Sequence, residues 1–199
     1  MLVLASASQA RHQLLEKAEI PHSIIISNFN ESSVKNKNPK ELSKELAYAK
    51  ANAVSHNVFN KKDLLESIET IYILGCDSIF EFEGKILGKP RDKQEAIRRL
   101  LLMSNKSGTL HTGHSLIILK KSNGNHVKTF RSKVISTIVQ FCNLEKNEIK
   151  AYVDKGKVLN CAGGFTLEGE GSKFIKSING CYSNVIGLSI PWIKENLKD

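Results

Sequence analysis

Residues 2–18 read LVLASASQARHQLLEKA, and this stretch decides the fold. Its apolar start predicts a buried strand, and Ser8 is placed to cap a helix over residues 9–18. A strand that runs through small hydroxyl residues into a helix presents free backbone N–H groups, the hydroxyls of Ser6 and Ser8, and the positive end of the helix dipole. Arg11, one turn into the helix, adds a planar donor. The stretch predicts an anion pocket, above all for phosphate, although Ser8 is equally well explained as a plain N-cap.

The rest of the chain alternates strand and helix signals and predicts one mixed α/β domain over residues 1–199. Asn38-Pro39 followed by Glu41 is a strong helix start, because it combines an N-cap, a proline at the first position and a capping glutamate. We expect a central twisted sheet flanked by helices. The predicted elements are strands at 2–5, 23–26, 71–75, 113–120 and 127–141, helices at 9–18, 39–58, 92–103, 145–154 and from Ser189, a loop at 28–38, and turns at Glu83-Gly84 and at Ser122–Asn125. The strand at 71–75 is followed by an alternating pattern up to residue 82, which together with the Glu83-Gly84 turn predicts a hairpin.

The composition bounds the class of protein. A chain with 41% hydrophobic and 25% charged residues is ordinary for a globular protein. No apolar run approaches the ~18 residues that span a membrane, so we expect no membrane partner. The cysteines are widely spaced without a C-x-x-C pattern, which is typical of buried thiols in a reducing compartment, and we expect a cytoplasmic protein. They are Cys76, Cys142, Cys161 and Cys181.

The net charge of +9 is concentrated in one region, since residues 91–133 carry ten basic and two acidic groups. Such a stretch indicates an anionic partner, either a nucleotide or a nucleic-acid backbone, or else a solvated basic face. The charges fall across a predicted helix and two predicted strands without a recognition motif. A nucleic-acid-binding module, which would bind in a salt-sensitive way without turnover, is therefore the weaker alternative.

A second polar cluster, Gly75-Cys76-Asp77-Ser78, follows a predicted buried strand at residues 71–75. Open α/β sheets place their ligands at the carboxyl ends of strands. A carboxylate there can hold a divalent ion or take a proton from water, although aspartate is also common in turns. Lys89 follows in the glycine- and proline-rich segment 84–90, where it is suited to contact phosphate or to lie on the surface.

Three further features carry weaker signals when taken singly. Lys50 lies beside the apolar stripe of its predicted helix, and Glu31 stands alone in a polar loop; both are more often surface charges. The glycine-rich segment 163–171 allows backbone to approach a flat ligand closely. It lacks the spaced G-x-G-x-x-G pattern, so a dinucleotide site is not predicted.

Read together, these segments resemble the Maf family of nucleotide pyrophosphatases, which is linked to septum formation. The resemblance covers nearly the whole chain, and several separate motifs stand in the family's order. They are LASASQAR, GCDSIF, GKILGKPRDKQEA, HTGHSL and INGCYSNVIGL. The resemblance implies a mixed α/β fold with a nucleotide-binding cleft, and hydrolysis of standard or modified nucleoside triphosphates to the monophosphate and pyrophosphate. It also implies Mg²⁺ or Mn²⁺ as cofactor, and such enzymes are often homodimers.

The same resemblance assigns roles to individual residues. Asp77 matches the family's catalytic aspartate, which is taken as the proton acceptor. The positions that match phosphate or metal contacts are Ser6, Arg11, Glu31, Lys50 and Lys89, of which Glu31 and Lys50 are placed by spacing alone. Glu31 and Asp77 would offer oxygen ligands to a hard cation, and Arg11, Lys50 and Lys89 would hold the triphosphate.

The nucleobase is not decided by the three positions where branches of the family differ. Ala10 and Ser78 match neither the pyrimidine-preferring branch nor the branch that acts on 7-methyl-GTP. Glu168 agrees with the 7-methyl-GTP branch. An ionised glutamate only accepts hydrogen bonds, and guanine offers two donors on one edge, so Glu168 favours a guanine-like base. A 7-methyl-GTP-selective enzyme and relaxed specificity both stay open.

A second alternative is a regulator of cell division that holds a nucleotide without cutting it. Such a sensor has no use for a general base, and Asp77, Arg11 and Lys89 are all present. The sequence therefore favours the enzyme.

Overall fold

The structure is a computed structural model that describes residues 1–59, 68–122 and 125–198 of the protein. The first strand and the first helix both form where the sequence predicts them. Strand β1 spans Leu2–Leu4 and is buried along its length. Helix α1 spans Gln9–Lys17. Ser8 occupies the N-cap position, but its side chain makes no capping hydrogen bond. Its backbone N–H instead donates to Ser6 Oγ at 3.2 Å, so the prediction of a Ser8 side-chain cap is wrong.

Seven strands form one mixed sheet in the described part of the chain. Besides β1 they are β2 at His22–Ile24, β3 at Thr70–Phe82, β4 at Lys85–Leu87, β5 at Ser107–Ser122, β6 at Asn125–Phe141 and β7 at Ile175–Asn179. Their order in the sheet is β2-β1-β3-β5-β6-β7, with β4 paired to β3. Strand β1 is parallel to β2 and β3, and the other pairs are antiparallel.

Both predicted hairpins are confirmed, because β3 pairs with β4 across Glu83-Gly84 and β5 pairs with β6. The centre of the predicted SNGN turn, residues 123–124, lies outside the described residues. Strand β5 starts at Ser107, six residues before its predicted start at 113. The early start was not predicted because Gly108 lies in the first residues of the strand, and an isolated glycine weakens the strand pattern.

The five predicted helices all form near their predicted places, and the described residues contain one further short helix. They are α1, already described, α2 at Pro39–Phe59, α3 at Lys93–Met103, α4 at Lys146–Asp154 and α6 at Ile190–Asn196; the unpredicted helix is α5 at Tyr182–Ile186. Asp92 caps α3 by accepting from Glu95 N, and Ser189 caps α6 by accepting from Trp192 N. A single 3-10 turn, Glu31–Ser33, interrupts the predicted loop at 28–38, and further 3-10 turns form much of the glycine-rich segment.

Helices cover both faces of the sheet, as the alternation of apolar side chains requires. Val3, Ile73 and Ile117 point towards α2, whereas Leu4, Leu74 and Leu116 point towards α1 and α6. A third cluster around Phe80 and Phe141 packs against α3, α4 and the glycine-rich segment. The expected α/β fold, with a mixed sheet flanked by helices, is therefore confirmed. Among the described helices, none is long and apolar enough to cross a membrane.

Two glycines set the distance between α2 and the sheet. A Cβ atom on Gly75 would lie 2.1 Å from the carbonyl oxygen of Ala47, and one on Gly113 would lie 2.1 Å from that of Ser43. Helix α2 therefore rests directly on the backbone of β3 and β5, because no side chain separates them.

Candidate active site

Lys50 brings two carboxylates together. Its Nζ atom lies 2.5 Å from Asp77 Oδ1 and 2.7 Å from Glu31 Oε1. Lys50 and Asp77 are each 7% exposed, whereas the side chain of Glu31 is 56% exposed. The close contact of α2 with Gly75, two residues before Asp77, explains why a lysine on this helix reaches the strand.

Asp77 lies in a gap along one edge of β3. Strand β5 pairs with β3 over Thr70 to Glu81 and so occupies the opposite edge. On the remaining edge β1 pairs with β3 up to Leu74 and β4 pairs from Phe80 onwards. The chain leaves β1 at the start of this gap and enters α1. The carboxyl end of β1, the N-terminus of α1 and the middle of β3 therefore meet, which is the place where α/β sheets bind ligands.

Arg11, on α1, connects the β1–α1 link and strand β3, which border the gap, with the residue that follows α5. Its guanidinium donates from Nη1 to Ser6 Oγ at 3.2 Å and from Nη2 to Ser78 Oγ at 3.1 Å. Its Nε donates to the carbonyl oxygen of Gly187 at 3.0 Å, and the residue is 8% exposed. An arginine held by three acceptors on different segments has little freedom to move, so its position is set by the fold.

The charges of this cluster act on one another. Burial raises the pKa of Asp77, and the opposing charges of Lys50 and Arg11 reduce the increase without cancelling it. Partial burial also acts to raise the pKa of Glu31, but the hydrogen bond and charge of Lys50, together with Lys89 and Arg11, outweigh it and the pKa is lowered. The two carboxylates thus have different proton affinities, because one is buried and the other largely faces solvent.

The two other predicted phosphate contacts lie at the rim. Lys89 is exposed, and its charge acts on both Glu31 and Cys161, so it lies between the polar cluster and the residues just before the glycine-rich segment. Ser8 is half-buried at the start of α1, next to the Ser6 hydroxyl. The structure therefore brings Ser6, Arg11, Glu31, Lys50 and Asp77 into one cluster with Lys89 and Ser8 beside it.

The residues predicted to read the base have different surroundings. Ala10 is half-buried on α1. Glu168 lies in the glycine-rich segment and forms an ion pair with Lys17 of α1, with 2.9 Å between Nζ and Oε1. Ser78 Oγ accepts from Arg11 and lies 3.0 Å from Thr112 Oγ1. The Ser78 hydroxyl is therefore hydrogen-bonded within the protein, beside Arg11.

Sequence reasoning missed Thr112 and Asn184, which continue the hydrogen-bond network of Arg11. Thr112 Oγ1 donates to the backbone oxygen of Asn184 at 3.2 Å, so the Ser78 hydroxyl donates to Thr112. The Asn184 amide donates to Ile135 O and Thr137 Oγ1, and both Thr112 and Asn184 are fully buried. Both residues stand in motifs of the sequence, HTGHSL and INGCYSNVIGL, but the motifs do not show which residues their side chains contact.

Glu31 and Asp77 are the candidate protein ligands for the expected metal ion. Within residues 1–59, 68–122 and 125–198, no group of three or more His, Cys, Asp or Glu side chains is placed to hold a metal ion. Glu31 and Asp77 nevertheless approach a single cation, Lys50 Nζ. Mg²⁺ is commonly held by one or two carboxylates, with substrate phosphates and waters as the other ligands. The pair therefore fits a divalent cation shared with a phosphate substrate and does not fit a metal held by protein ligands alone.

The fold and this cluster define a mixed-sheet α/β protein with a buried carboxylate among basic side chains. The chain belongs to the Maf family, since the sequence model of the family, described as Maf-like protein, matches residues 1–199. Two relatives come from Prochlorococcus marinus. The protein of strain AS9601 is 50% identical over 202 residues, covering 99% of each chain. The protein of strain SARG is 49% identical over 199 residues, covering 98% of this chain and 94% of that protein.

A third relative, from Parasynechococcus marenigrum strain WH8102, is 46% identical over 199 residues, which cover 100% of this chain and 95% of that protein. All three relatives are named nucleoside triphosphate pyrophosphatase. The similarity extends over almost the whole length of each protein, so the resemblance seen in the sequence motifs is confirmed at the level of the family.

Proposed function

We propose that this protein hydrolyses nucleoside triphosphates to the monophosphate and pyrophosphate. One observation carries the proposal: a buried carboxylate, Asp77, lies among Lys50, Arg11 and Glu31 in the gap where β1 ends and α1 begins. The names of the relatives support the same activity. A purely binding protein would need the cations but not a carboxylate whose proton affinity is raised by burial.

The triphosphate would bind through the basic groups around the gap. Arg11 offers a planar guanidinium, Lys50 an ammonium already placed between two carboxylates, and Lys89 an exposed charge at the rim. The first N–H groups of α1 and the hydroxyls of Ser6 and Ser8 add neutral donors. Phosphoryl transfer depends mostly on such positioning and on charge neutralisation, so this set suits the reaction.

Glu31 and Asp77 would hold a divalent cation, Mg²⁺ or Mn²⁺, together with phosphate oxygens. The ion would supply neutralisation of the charge that develops on the phosphates. Glu31 suits this part because its lowered pKa keeps it ionised. Its exposure also leaves room for ligands from solvent and substrate.

Asp77 would act as the general base. It takes a proton from water as the water oxygen bonds to phosphorus, the α–β anhydride bond breaks, and pyrophosphate leaves. The proton then passes from Asp77 to solvent, which restores the carboxylate. Burial favours this role because it raises the pKa of Asp77 and so makes the carboxylate a stronger proton acceptor, while the charge of Lys50 limits this rise.

Glu168 is the proposed contact to the base, since its carboxylate accepts hydrogen bonds and guanine presents two donors. Its ion pair with Lys17 orients the carboxylate from the side of α1. Ala10 lies on that helix as well and would leave space for the base. Ser78, in contrast, is proposed to hold Arg11 in place, because its oxygen accepts from that guanidinium.

We place the protein in the cytoplasm, where its substrate would be found. Cys76, Cys142, Cys161 and Cys181 are all free thiols. Burial raises the pKa of Cys76 to about 12, so this thiol is protonated and chemically inert. Free thiols persist in a reducing compartment.

The test is product analysis. The purified protein is incubated with standard and modified nucleoside triphosphates in the presence of Mg²⁺ or Mn²⁺, and the products are separated. Monophosphate and pyrophosphate in equal amounts are expected. Diphosphate and inorganic phosphate would show a different cut, and no turnover with any triphosphate would reject the proposal in favour of a nucleotide-binding regulator.

A further inference from the structure

Lys89 stands in a short segment, residues 88–91, which we call the lysine turn; Pro90 is buried and the other three residues are exposed. An exposed lysine contacts phosphate efficiently only if its backbone is held in place, since ordering a free segment opposes binding. The residues that hold the lysine turn therefore matter for the contact that Lys89 is proposed to make.

The backbone before Lys89 is held by Arg99 of α3. Its Nη1 atom donates to the carbonyl oxygen of Gly88 at 2.6 Å. The same oxygen accepts from the backbone N–H of Gly163 at 3.3 Å. Gly88 is thus tied both to α3 and to the glycine-rich segment that carries Glu168.

The backbone after Lys89 is held by Glu95, also on α3. Its Oε2 atom accepts from the backbone N–H of Arg91 at 2.9 Å and from Arg91 Nε at 3.1 Å. Its Oε1 atom accepts from Arg99 Nη2 at 2.6 Å. Helix α3 therefore binds the backbone of the lysine turn before and after Lys89. It does so through the side chains of Arg99 and Glu95, which are hydrogen-bonded to each other.

This arrangement differs from an ordinary ion pair on a helix surface. The side chains of Glu95 and Arg99 are each only 11% exposed, whereas a pair that serves the helix alone lies in solvent. Hydrogen bonds from the Arg91 backbone and from both arginines lower the pKa of Glu95 to about 2, so the carboxylate stays charged at neutral pH. In addition, Arg99 Nε is buried without a hydrogen-bond partner among the described residues.

We propose that Arg99 and Glu95 are positioning residues that fix Lys89 towards the triphosphate. The proposal rests on the proposed function, because it assumes that Lys89 contacts phosphate. Both side chains act through the backbone of the lysine turn and touch no substrate. The bond from Gly163 to Gly88 further couples the position of Lys89 to the segment proposed to read the base.

A double-mutant cycle tests whether Arg99 acts through Lys89. In the wild-type background, Arg99→Ala is expected to raise KM for the triphosphate and to lower kcat/KM about tenfold, the same pattern as Lys89→Ala. In a Lys89→Ala background, Arg99→Ala is expected to change kcat/KM less than about twofold, since the contact is already lost. An equal fold-loss in both backgrounds would overturn the proposal.

Arg98→Ala is the matched control, because Arg98 is the neighbouring arginine on α3 and is exposed. Its kcat/KM is expected to equal that of the wild type. A loss in Arg98→Ala as large as that in Arg99→Ala would also contradict the proposal, since it would show an effect of removing any arginine from this helix.

Hydrogen exchange at the Arg91 backbone amide tests the hydrogen bond to Glu95 independently of enzymatic activity. Glu95→Ala is expected to speed this exchange, and Glu95→Gln, which keeps an acceptor, is expected to restore most of the protection. If exchange at Arg91 is unchanged in Glu95→Ala, the positioning role is rejected and the proposed function is not affected. If the wild type does not hydrolyse any triphosphate but exchange is faster in Glu95→Ala, the proposed function is rejected and the hydrogen bonds that hold the lysine turn are confirmed.

Discussion

Lys50 and Asp77 are 27 residues apart in the chain, yet the Nζ and Oδ1 atoms lie 2.5 Å apart. The contact joins helix α2 to strand β3 at the gap between β1 and β4. The Lys50 ammonium contacts the buried carboxylate of Asp77 and also a second, exposed carboxylate, that of Glu31. This arrangement of one cation and two carboxylates is the geometry on which the proposed binding of a triphosphate with a divalent ion rests.

Replacing Asp77 with asparagine should remove the general base while keeping the shape of the side chain. We expect a loss of at least ~100-fold in kcat, the usual effect of losing such a group. The fold should persist, because burial already disfavours the charged carboxylate at this position. Turnover and circular dichroism of Asp77→Asn measure both effects, and near-normal turnover would refute the assignment of the base.

Replacing Glu168 with glutamine should change the preference for the base. A glutamine both donates and accepts, which suits uracil or thymine, whereas the glutamate suits the two donors of guanine. We expect the ratio of kcat/KM for GTP over UTP to fall about tenfold.

Lys17→Ala is the companion variant for this prediction, because it frees Glu168 from its ion pair without removing the carboxylate. It should retain the preference for guanine while lowering its extent. An unchanged ratio in Glu168→Gln would show that another residue reads the base.

Replacing Gly75 with alanine should push α2 away from the sheet. A Cβ atom there would lie 2.1 Å from the carbonyl oxygen of Ala47 and 2.7 Å from the backbone nitrogen of Ala51, so the backbone must move. We expect a loss of about 1–3 kcal/mol in the free energy of unfolding. Activity should fall as well, since the contact of Lys50 with Asp77 depends on this distance.

Gly88→Ala serves as the stability control, because a Cβ atom there meets nothing within 4 Å. Its free energy of unfolding, measured with urea, should stay close to that of the wild type. Equal stability of Gly75→Ala and Gly88→Ala would mean that α2 can shift without loss.

Stability should depend on pH through His114. Burial lowers the pKa of this fully buried histidine to about 4 from an ordinary value of 6.5. Its Nε2 accepts from the backbone N–H of Ser189, so the neutral ring is the form that the fold uses. Between pH 6.5 and 4 the unfolded chain binds a proton that the folded chain does not. Stability should therefore fall as the pH falls through this window, by about 3 kcal/mol in all.

His114→Gln keeps an acceptor for Ser189 and cannot titrate. Urea unfolding at several pH values from about 7 to about 4 should show a slope smaller by up to about 1.4 kcal/mol per pH unit in this variant. His56→Gln, at an exposed histidine, should keep the wild-type slope. Identical slopes for His114→Gln and the wild type would show that His114 is not the group responsible.

Local sequence signals predicted most of the elements because helices and hairpins form from neighbouring residues. The cap at Asp92, the proline at residue 39 and the Glu83-Gly84 turn all stand where these signals place them. The short helix α5 escaped prediction, since five residues carry too little periodicity to be recognised. The early start of β5 escaped because pairing with β6, and not its own pattern, extends it.

The site was less predictable than the fold. Asp77 and Arg11 stand in motifs that indicate their chemistry, and the resemblance to the family included both. Ser78 was assigned to the base by its position in a motif, although its hydroxyl is bonded to Arg11 and Thr112. Arg99 and Glu95 gave no signal at all, because a pair of charges one turn apart on a helix is usually a surface feature.

The sequence by itself determined the family, the alternation of strands and helices, and the residue types available for phosphate chemistry, because these depend on local pattern and on motifs. Only the tertiary structure decided which of those residues meet. Lys50, Glu31 and Asp77 come from a helix, a 3-10 turn and a strand, and the contact among them depends on sheet order and on the absence of a side chain at Gly75. Contacts between distant segments are set by packing, which local sequence does not encode.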